Sequence, residues 1–171
     1  MNLDFYMLTQ DQRIDGALKP LGRVDLRPEE ANDKSIHLQF PIQKAEKAVE
    51  VDFIERPLPL ISNRLKQLAE KFCPRMKFAP VGLMNLEKRE QYWYWLASFP
   101  KVACLSAESE FHPNGTLKRI VIDSFKAGNH PIFQLQGPRE HYIIVNLMLA
   151  ESILRRDFTG LKLISVEQKD R

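Results

Sequence analysis

The stretch PLPLISNRLKQLAEKFCPRMKFAPVGL, residues 57–83, constrains the fold more than any other because several local signals agree there. Ser62 is placed to be an N-cap, since its hydroxyl accepts a hydrogen bond from the free N–H groups of a first helical turn. Pro74 ends the helix, because proline lacks an N–H and disfavours helical backbone in the residue before it. Apolar residues recur at helical spacing between them: Leu65, Leu68, Ala69 and Phe72. The stretch predicts a short capped helix followed by a strand at residues 77–83.

A similar pattern recurs near the C-terminus. Residues 141–145 form an apolar run typical of a strand, and Asn146 is a second N-cap candidate. Gly160 lies where a helix C-cap glycine is expected. A stripe of apolar residues separates the cap from the glycine: Leu149, Ala150, Ile153 and Leu154. Residues 161–166 then alternate as a strand does, and the two helix–strand segments reflect either a duplication or chance.

An aromatic strand is predicted at residues 91–98, QYWYWLAS. Alternation along a strand divides these residues between two faces. One face carries Tyr92, Tyr94 and Leu96, and the other carries Trp93, Trp95 and Ala97. Aromatic residues on both faces are typical of an inner strand covered on two sides. The alternative is a strand with one face partly exposed as a binding surface, since Trp and Tyr are frequent binding hot spots.

Short apolar segments alternate with tight turns over the rest of the chain. Turn sequences occur at residues 112–115, 128–131 and 137–138, and in the first of them Asn114-Gly115 supplies positive φ angles. They separate segments typical of strands: residues 102–105, 117–125 and 132–135. Short strands joined by tight turns favour an antiparallel meander. We therefore expect an α+β fold in which two or three helices pack on a largely antiparallel sheet.

The chain length predicts a single domain over residues 1–171, because this length suffices to bury a core. The first 50 residues are polar and rich in turn signals. Within them, residues 35–41 alternate like a half-buried strand, and residues 25–34 are typical of a surface loop or a short helix.

The composition limits the partners and the compartment. The formal net charge is +3 and the basic residues are scattered, so we expect no nucleic-acid partner. No run approaches the roughly 20 apolar residues that a membrane span needs, so we expect no membrane partner. The N-terminus lacks the basic start and the apolar core of a signal peptide. Two cysteines in apolar contexts, Cys73 and Cys104, are expected to be free thiols. Together these features predict a cytoplasmic protein.

The best acidic constellation consists of Glu108, Glu110 and Asp123. Glu108 and Glu110 point the same way on an extended backbone, and Asp123 lies opposite them if residues 109–111 pair with the following strand. Paired carboxylates perform acid–base chemistry when burial separates their pKa values, but carboxylates beside a turn are usually solvated. We therefore expect solvated carboxylates; recognition of a partner is the first functional alternative, ahead of catalysis.

No catalytic, cofactor-binding or metal-ligating residue is predicted. The four histidines have no metal-ligand spacing: His37, His112, His130 and His141. Cys104 as a nucleophile would need a nearby base, for which His112 and His141 are the only candidates.

Three segments carry a family resemblance: LPLISNRLKQLAEKF…MKFAPV, QYWYWLASFPKVACLSAESEF and PIFQLQ…HYIIVNLMLAESILRRDFTGLKLISV. They resemble a bacterial immunity-protein family of polymorphic toxin systems, formerly a domain of unknown function. The resemblance covers roughly residues 52–166, which makes residues 1–50 a variable N-terminal part and residues 51–171 a family-like core. Ser106 stands where an acidic residue is common in that family, and Asn146 where the second helix usually has Ser.

The resemblance implies a non-enzymatic protein that neutralises a cognate protein toxin by direct binding. The alternatives are a small enzyme with a carboxylate or cysteine site, and a structural homo-oligomer. The candidate partner-binding residues are those of the aromatic strand, the acidic constellation and the turn beside it: Tyr92, Trp93, Tyr94, Trp95, Glu108, Glu110, His112 and Asp123.

Overall fold

The computed structural model describes residues 4–22 and 38–169. These residues fall into two compact units. The described part of the first unit comprises residues 4–9, 99–157 and 162–169, and that of the second comprises residues 10–22, 38–98 and 158–161. The single domain expected from the chain length stays a prediction.

A five-stranded sheet organises the second unit, in the order β2-β5-β6-β4-β3. Its elements are β2 (Leu38–Pro41), β3 (Phe53–Ile54), β4 (Leu60–Ile61), α1 (Asn63–Phe72), β5 (Lys77–Asn85) and β6 (Glu90–Ser98). The long β5–β6 hairpin is antiparallel, whereas β2 pairs with β5 in parallel. One face of the sheet is buried in an apolar core that includes Phe40, Val81, Leu83, Tyr94 and Leu96.

Helix α1 begins and ends as its sequence predicts. The Ser62 hydroxyl accepts a hydrogen bond from the Leu65 N–H at 3.1 Å, and the helix ends at Cys73, before Pro74. Its buried side chains are Leu65, Leu68 and Ala69, whereas Phe72 is half-buried. The helix packs against β6.

A buried carboxylate holds three segments of the second unit together. Asp52, which is 6% exposed, accepts a hydrogen bond from the Ser62 hydroxyl at 2.5 Å and from the Thr159 N–H at 2.7 Å. The same hydroxyl caps α1, so the helix N-terminus and the Thr159 segment are fixed to one side chain. A carboxylate is suited to this position because it accepts several hydrogen bonds at once.

The first unit contains a second five-stranded sheet, in the order β13-β1-β12-β11-β7. Its strands are β1 (Phe5–Gln10), β7 (Lys101–Val102), β11 (Ile132–Leu135), β12 (Ile143–Asn146) and β13 (Leu161–Ser165). Two short pairs accompany the sheet: β8 (Glu110–Phe111) with β9 (Leu117–Arg119), and β10 (Val121–Asp123) with β14 (Glu167–Lys169). The helices are α2 (Ser124–Ala127) and α3 (Leu147–Leu154).

The predicted cap of α3 is confirmed, but two expectations about this segment are wrong. The Asn146 side chain accepts a hydrogen bond from the Leu149 N–H at 2.9 Å. Leu154, expected to be part of the apolar stripe, is 72% exposed because it lies in the last turn and faces outward. Gly160 is not the C-cap, because the helix already ends at Arg155.

The mixture of helix and strand is confirmed, but the single largely antiparallel sheet is wrong. Each five-stranded sheet combines antiparallel pairs with a parallel pair, β2–β5 in one and β11–β7 in the other. The strand predicted at residues 117–125 breaks at Ile120, resumes as β10 and ends at Asp123, which is the N-cap of α2. The strand predicted at residues 102–105 shortens to β7, and in the turn at residues 112–115 only Gly115 has a positive φ.

Part of the N-terminal prediction falls outside the described residues. This applies to residues 25–34, to His37 and to the first three residues of the predicted strand at 35–41, whose remainder is β2. Within the described residues, no helix is both long and apolar enough to cross a membrane.

Candidate functional site

The aromatic strand β6 lies inside its sheet, between β5 and β4, but its two faces differ. Tyr94 and Leu96 point into the core and are 2% and 1% exposed. Trp93 points to the opposite face and is 57% exposed. The predicted alternation is therefore confirmed, and the face that carries Trp93 is the partly exposed one.

Tyr94 is a structural residue of the core. Its hydroxyl donates a hydrogen bond to the Val51 carbonyl at 2.8 Å and accepts one from the Val51 N–H at 3.2 Å. Burial raises the pKa of this hydroxyl. Tyr92, on the same side, is half-buried and donates to the Glu90 carboxylate at 2.7 Å, a hydrogen bond that raises its pKa. Both tyrosines therefore lie on the core side of the sheet, not on the exposed side that carries Trp93.

Helix α1 covers one end of the face that carries Trp93. The Lys66 ammonium lies 4.7 Å from the ring centre of Trp95 and 5.0 Å from that of Phe78. Its charge also pairs with Glu70 at 2.6 Å. A lysine over aromatic faces is held by cation–π attraction and shields the rings with its stem. Trp95 is therefore half-buried, and the cover stops short of Trp93.

We call the uncovered part of this sheet face the open face. It consists of residues on β2, β5 and β6: Gln39, Pro80, Gly82, Met84, Gln91 and Trp93. Gly82 lies between Gln39 and Trp93 in the strand register. A Cβ added to it would lie 3.7 Å from Trp93 Cζ3 and 2.9 Å from Gln91 Nε2. The glycine therefore allows the indole and the neighbouring amide to lie close over its backbone.

The open face has the chemistry of a protein contact. An exposed indole supplies a large rigid apolar surface, while the exposed carboxamides of Gln39 and Gln91 supply donors and acceptors. The hydrogen-bonded strands on either side of β6 fix the position of Trp93. A surface of this composition is suited to contact with another protein, and its six residues include no acid, base or nucleophile.

The acidic candidates belong to the first unit, and each is paired with a cation. The Glu108 carboxylate lies 2.7 Å from Lys169 Nζ, and Glu110 lies 3.5 Å from Lys118 Nζ and 3.8 Å from Arg119. Arg119 also donates from Nε and a terminal nitrogen to Glu167, which raises the pKa of Arg119 and lowers that of Glu167. The carboxylates of Glu108, Glu110 and Glu167 therefore belong to a set of solvent-exposed ion pairs.

Asp123 and His112 have local structural roles. Asp123 caps α2, because its Oδ1 accepts hydrogen bonds at 3.1 Å from the N–H groups of Phe125 and Lys126. His112 opens an exposed turn in which its carbonyl accepts from the Gly115 N–H at 2.9 Å. The predicted pairing of residues 109–111 with the following strand is present for Glu110 and Phe111, as β8 with β9. Asp123, however, lies on β10 and not opposite Glu110.

The cysteine candidate is buried in the core of the first unit. Cys104 is 0% exposed, and burial raises the pKa of its thiol to about 11. A thiol of that pKa carries little of the reactive thiolate near neutral pH. His141 Nδ1 lies 3.0 Å from Gln134 Nε2, and burial lowers the pKa of this imidazole. Both groups therefore contribute to packing.

Neither a search for metal-ligand clusters among the described residues nor a comparison with known proteins identifies a further candidate site. Across residues 4–22 and 38–169, no group of three or more His, Cys, Asp or Glu side chains is arranged to hold a metal ion. Comparisons with protein-family models and with curated protein sequences give no match for this chain.

Of the six residues of the open face, sequence reasoning selected Trp93 alone as a candidate. Gln39 and Gly82 join Trp93 only through the β2–β5–β6 pairing, and this register is not legible from local patterns. Gly82 did carry a signal, because an isolated glycine inside an apolar strand often marks a close approach.

Proposed function

We propose that this chain is a cytoplasmic, non-enzymatic immunity protein that neutralises a cognate protein toxin by direct binding through the open face. The observation that carries the proposal is Trp93, which is 57% exposed on an inner strand and flanked by Gly82 and Gln91. Tryptophan is largely buried on average, and tryptophans at protein interfaces are among the strongest anchors.

The rigidity of the site supports this proposal. Trp93 pairs with Gly82 on β5, and its neighbour Trp95 pairs with Ile61 on β4, so the backbone is fixed on both sides. Tyr94 fixes the opposite side through two hydrogen bonds to Val51. A preorganised anchor loses little conformational entropy on binding, so more of its contact energy becomes affinity.

The surroundings of the groups that an enzyme would use also favour a binding protein. Cys104 is buried with a raised pKa, Glu108 and Glu110 are in exposed ion pairs, and Asp123 caps a helix. These roles are structural ones, and none of them aligns a nucleophile with a base.

The proposal is tested by growth rescue. The gene is co-expressed in bacteria with candidate toxin domains sought in the adjacent genes, and survival is compared for Trp93→Ala and Leu154→Ala. Both side chains are exposed and apolar, at 57% and 72%, but only Trp93 belongs to the open face. We expect loss of protection for Trp93→Ala and full protection for Leu154→Ala.

Two results would contradict the proposal. One is equal protection by the two variants at equal soluble levels. The other is a wild-type oligomer, measured by light scattering, that dissociates on Trp93→Ala while protection persists, which would make the open face a contact between copies of the chain.

A further inference from the structure

A cleft of about 380 Å³ is lined by residues of the second unit, and none of these lining residues belongs to the open face. Its walls come from the segments around residues 10–19 and 43–45, and Ile54 and Arg56 complete it. This volume lies within the range of small-molecule sites, about 300–1,000 Å³. Neither the aromatic strand nor the acidic constellation contributes to it.

Backbone hydrogen bonds hold the walls of the cleft in place. The Val49 N–H donates to Gly16 at 2.8 Å, and the Leu18 N–H donates back to Val49 at 3.0 Å. The Gln43 N–H donates to the Lys19 carbonyl at 2.8 Å. Gly16 has a φ of +74°, and a Cβ there would overlap the carbonyl oxygen of Lys47. The cleft is therefore preformed, which is typical of a ligand site.

The charges around the cleft favour an anion. Three cations line it, Lys19, Lys44 and Arg56, against one carboxylate, Asp15. Lys44 also pairs with Glu87, and both side chains are largely exposed. A concave site with a surplus of one charge raises the local concentration of ligands of the opposite charge.

The remaining lining residues define the rest of the ligand. Three carboxamides, those of Gln10, Gln12 and Gln43, offer N–H donors suited to carboxylate oxygens. Gln10 is oriented by the Glu55 N–H, which donates to its Oε1 at 3.1 Å and leaves its NH₂ group for a ligand. The apolar side chains of the lining, including Ile14, are suited to contact the short hydrocarbon chain of such a ligand.

We propose that this cleft binds a small organic carboxylate, with Lys19 and the carboxamides holding the carboxylate and the apolar residues contacting the hydrocarbon part. The site is independent of the open face and goes beyond toxin neutralisation. The ligand's carboxylate comes either from a free dicarboxylate or from an acidic side chain of a peptide, and these two sources share the same recognition chemistry.

Titration of the full chain with glutarate, followed by amide NMR at constant ionic strength, tests the proposal. We expect saturable shifts in residues 14–19 and 43–45. Lys19→Glu should weaken binding about tenfold or more, because a charge-assisted hydrogen bond is replaced by repulsion. Lys19 is exposed, so the variant keeps its fold, and Lys118→Glu in the first unit is the matched charge control.

A capped peptide with two adjacent glutamates, titrated in parallel, identifies the source. Tighter binding of the peptide assigns the cleft to an acidic segment, and tighter binding of glutarate assigns it to a free metabolite. Shifts outside the cleft, linear shifts without saturation, or equal weakening by Lys19→Glu and Lys118→Glu would overturn the proposal.

Discussion

Gly160 shows how one residue position is fixed by packing. Its φ is +76°, and an added Cβ would overlap the Cβ of Val51. Its carbonyl accepts the Asp11 N–H at 2.8 Å, while the preceding Thr159 bonds to Asp52. Thr159 and Gly160 thus attach this segment to Asp52 and Val51 within the second unit. Gly160 does not end a helix, although its sequence position suggests that it would.

Gly160→Ala is predicted to destabilise the second unit strongly. The variant adds a steric overlap of about 1–3 kcal/mol to the left-handed backbone strain of about 1–2 kcal/mol. Gly115→Ala is the matched control, because Gly115 has a φ of +84° but open space around it. Urea unfolding measures both, and an equal loss in the two variants would show that packing against Val51 is unimportant.

Helix α1 is the element whose sequence and structure agree most closely. Leu68→Ala should lower the free energy of unfolding by about 2–5 kcal/mol, because Leu68 is 3% exposed and the truncation leaves a cavity. Gln67→Ala, on the exposed side of the same helix, should change it by less than about 0.5 kcal/mol. Similar urea midpoints for the two variants would contradict the packing of α1 on the sheet.

Local signals predicted the elements, because caps and turns act within a few residues. Ser62, Asn146 and Pro74 marked real helix boundaries, and the alternation along β6 assigned Trp93 and Tyr94 to opposite faces. Pairing between distant strands is set by tertiary packing instead. For that reason the division into two mixed sheets, and the role of Gly160, were not predicted.

The candidate site was predictable only in part for the same reason. The strand pattern selected Trp93 together with three aromatic neighbours, but it could not tell which of the four stays exposed. The answer depends on how far α1 extends over the sheet, since Lys66 covers Trp95 and not Trp93. The ion pair of Glu108 could not be predicted locally, because its partner Lys169 is distant in sequence.

At the scale of the whole molecule, the two units share one type of connection. In each, a helix connects two strands of the sheet that are separated by one other strand. In the second unit α1 connects β4 to β5 with β6 between them, and in the first α3 connects β12 to β13 with β1 between them. This shared connection accords with the similar helix–strand patterns in the sequence. Duplication and chance stay the two alternatives for its origin.

The charge of the molecule bears on how a toxin would be bound. A formal net charge of +3 and an open face built from an indole and carboxamides disfavour a mimic of nucleic acid. We infer occlusion by an aromatic anchor, in which the acidic residues of the first unit contribute little. Their exposed ion pairs are worth little in water.

The central claim is tested most directly by isothermal titration of the toxin domain identified by growth rescue with the wild type, Trp93→Ala and the triple variant Glu108→Gln, Glu110→Gln, Asp123→Asn. Asparagine preserves the cap of α2. Loss of a hot-spot anchor costs about 2 kcal/mol or more, so Trp93→Ala should bind about 30-fold or more weakly. The triple variant should lose less than about tenfold. Tight binding by Trp93→Ala together with lost binding by the folded triple variant would contradict the account.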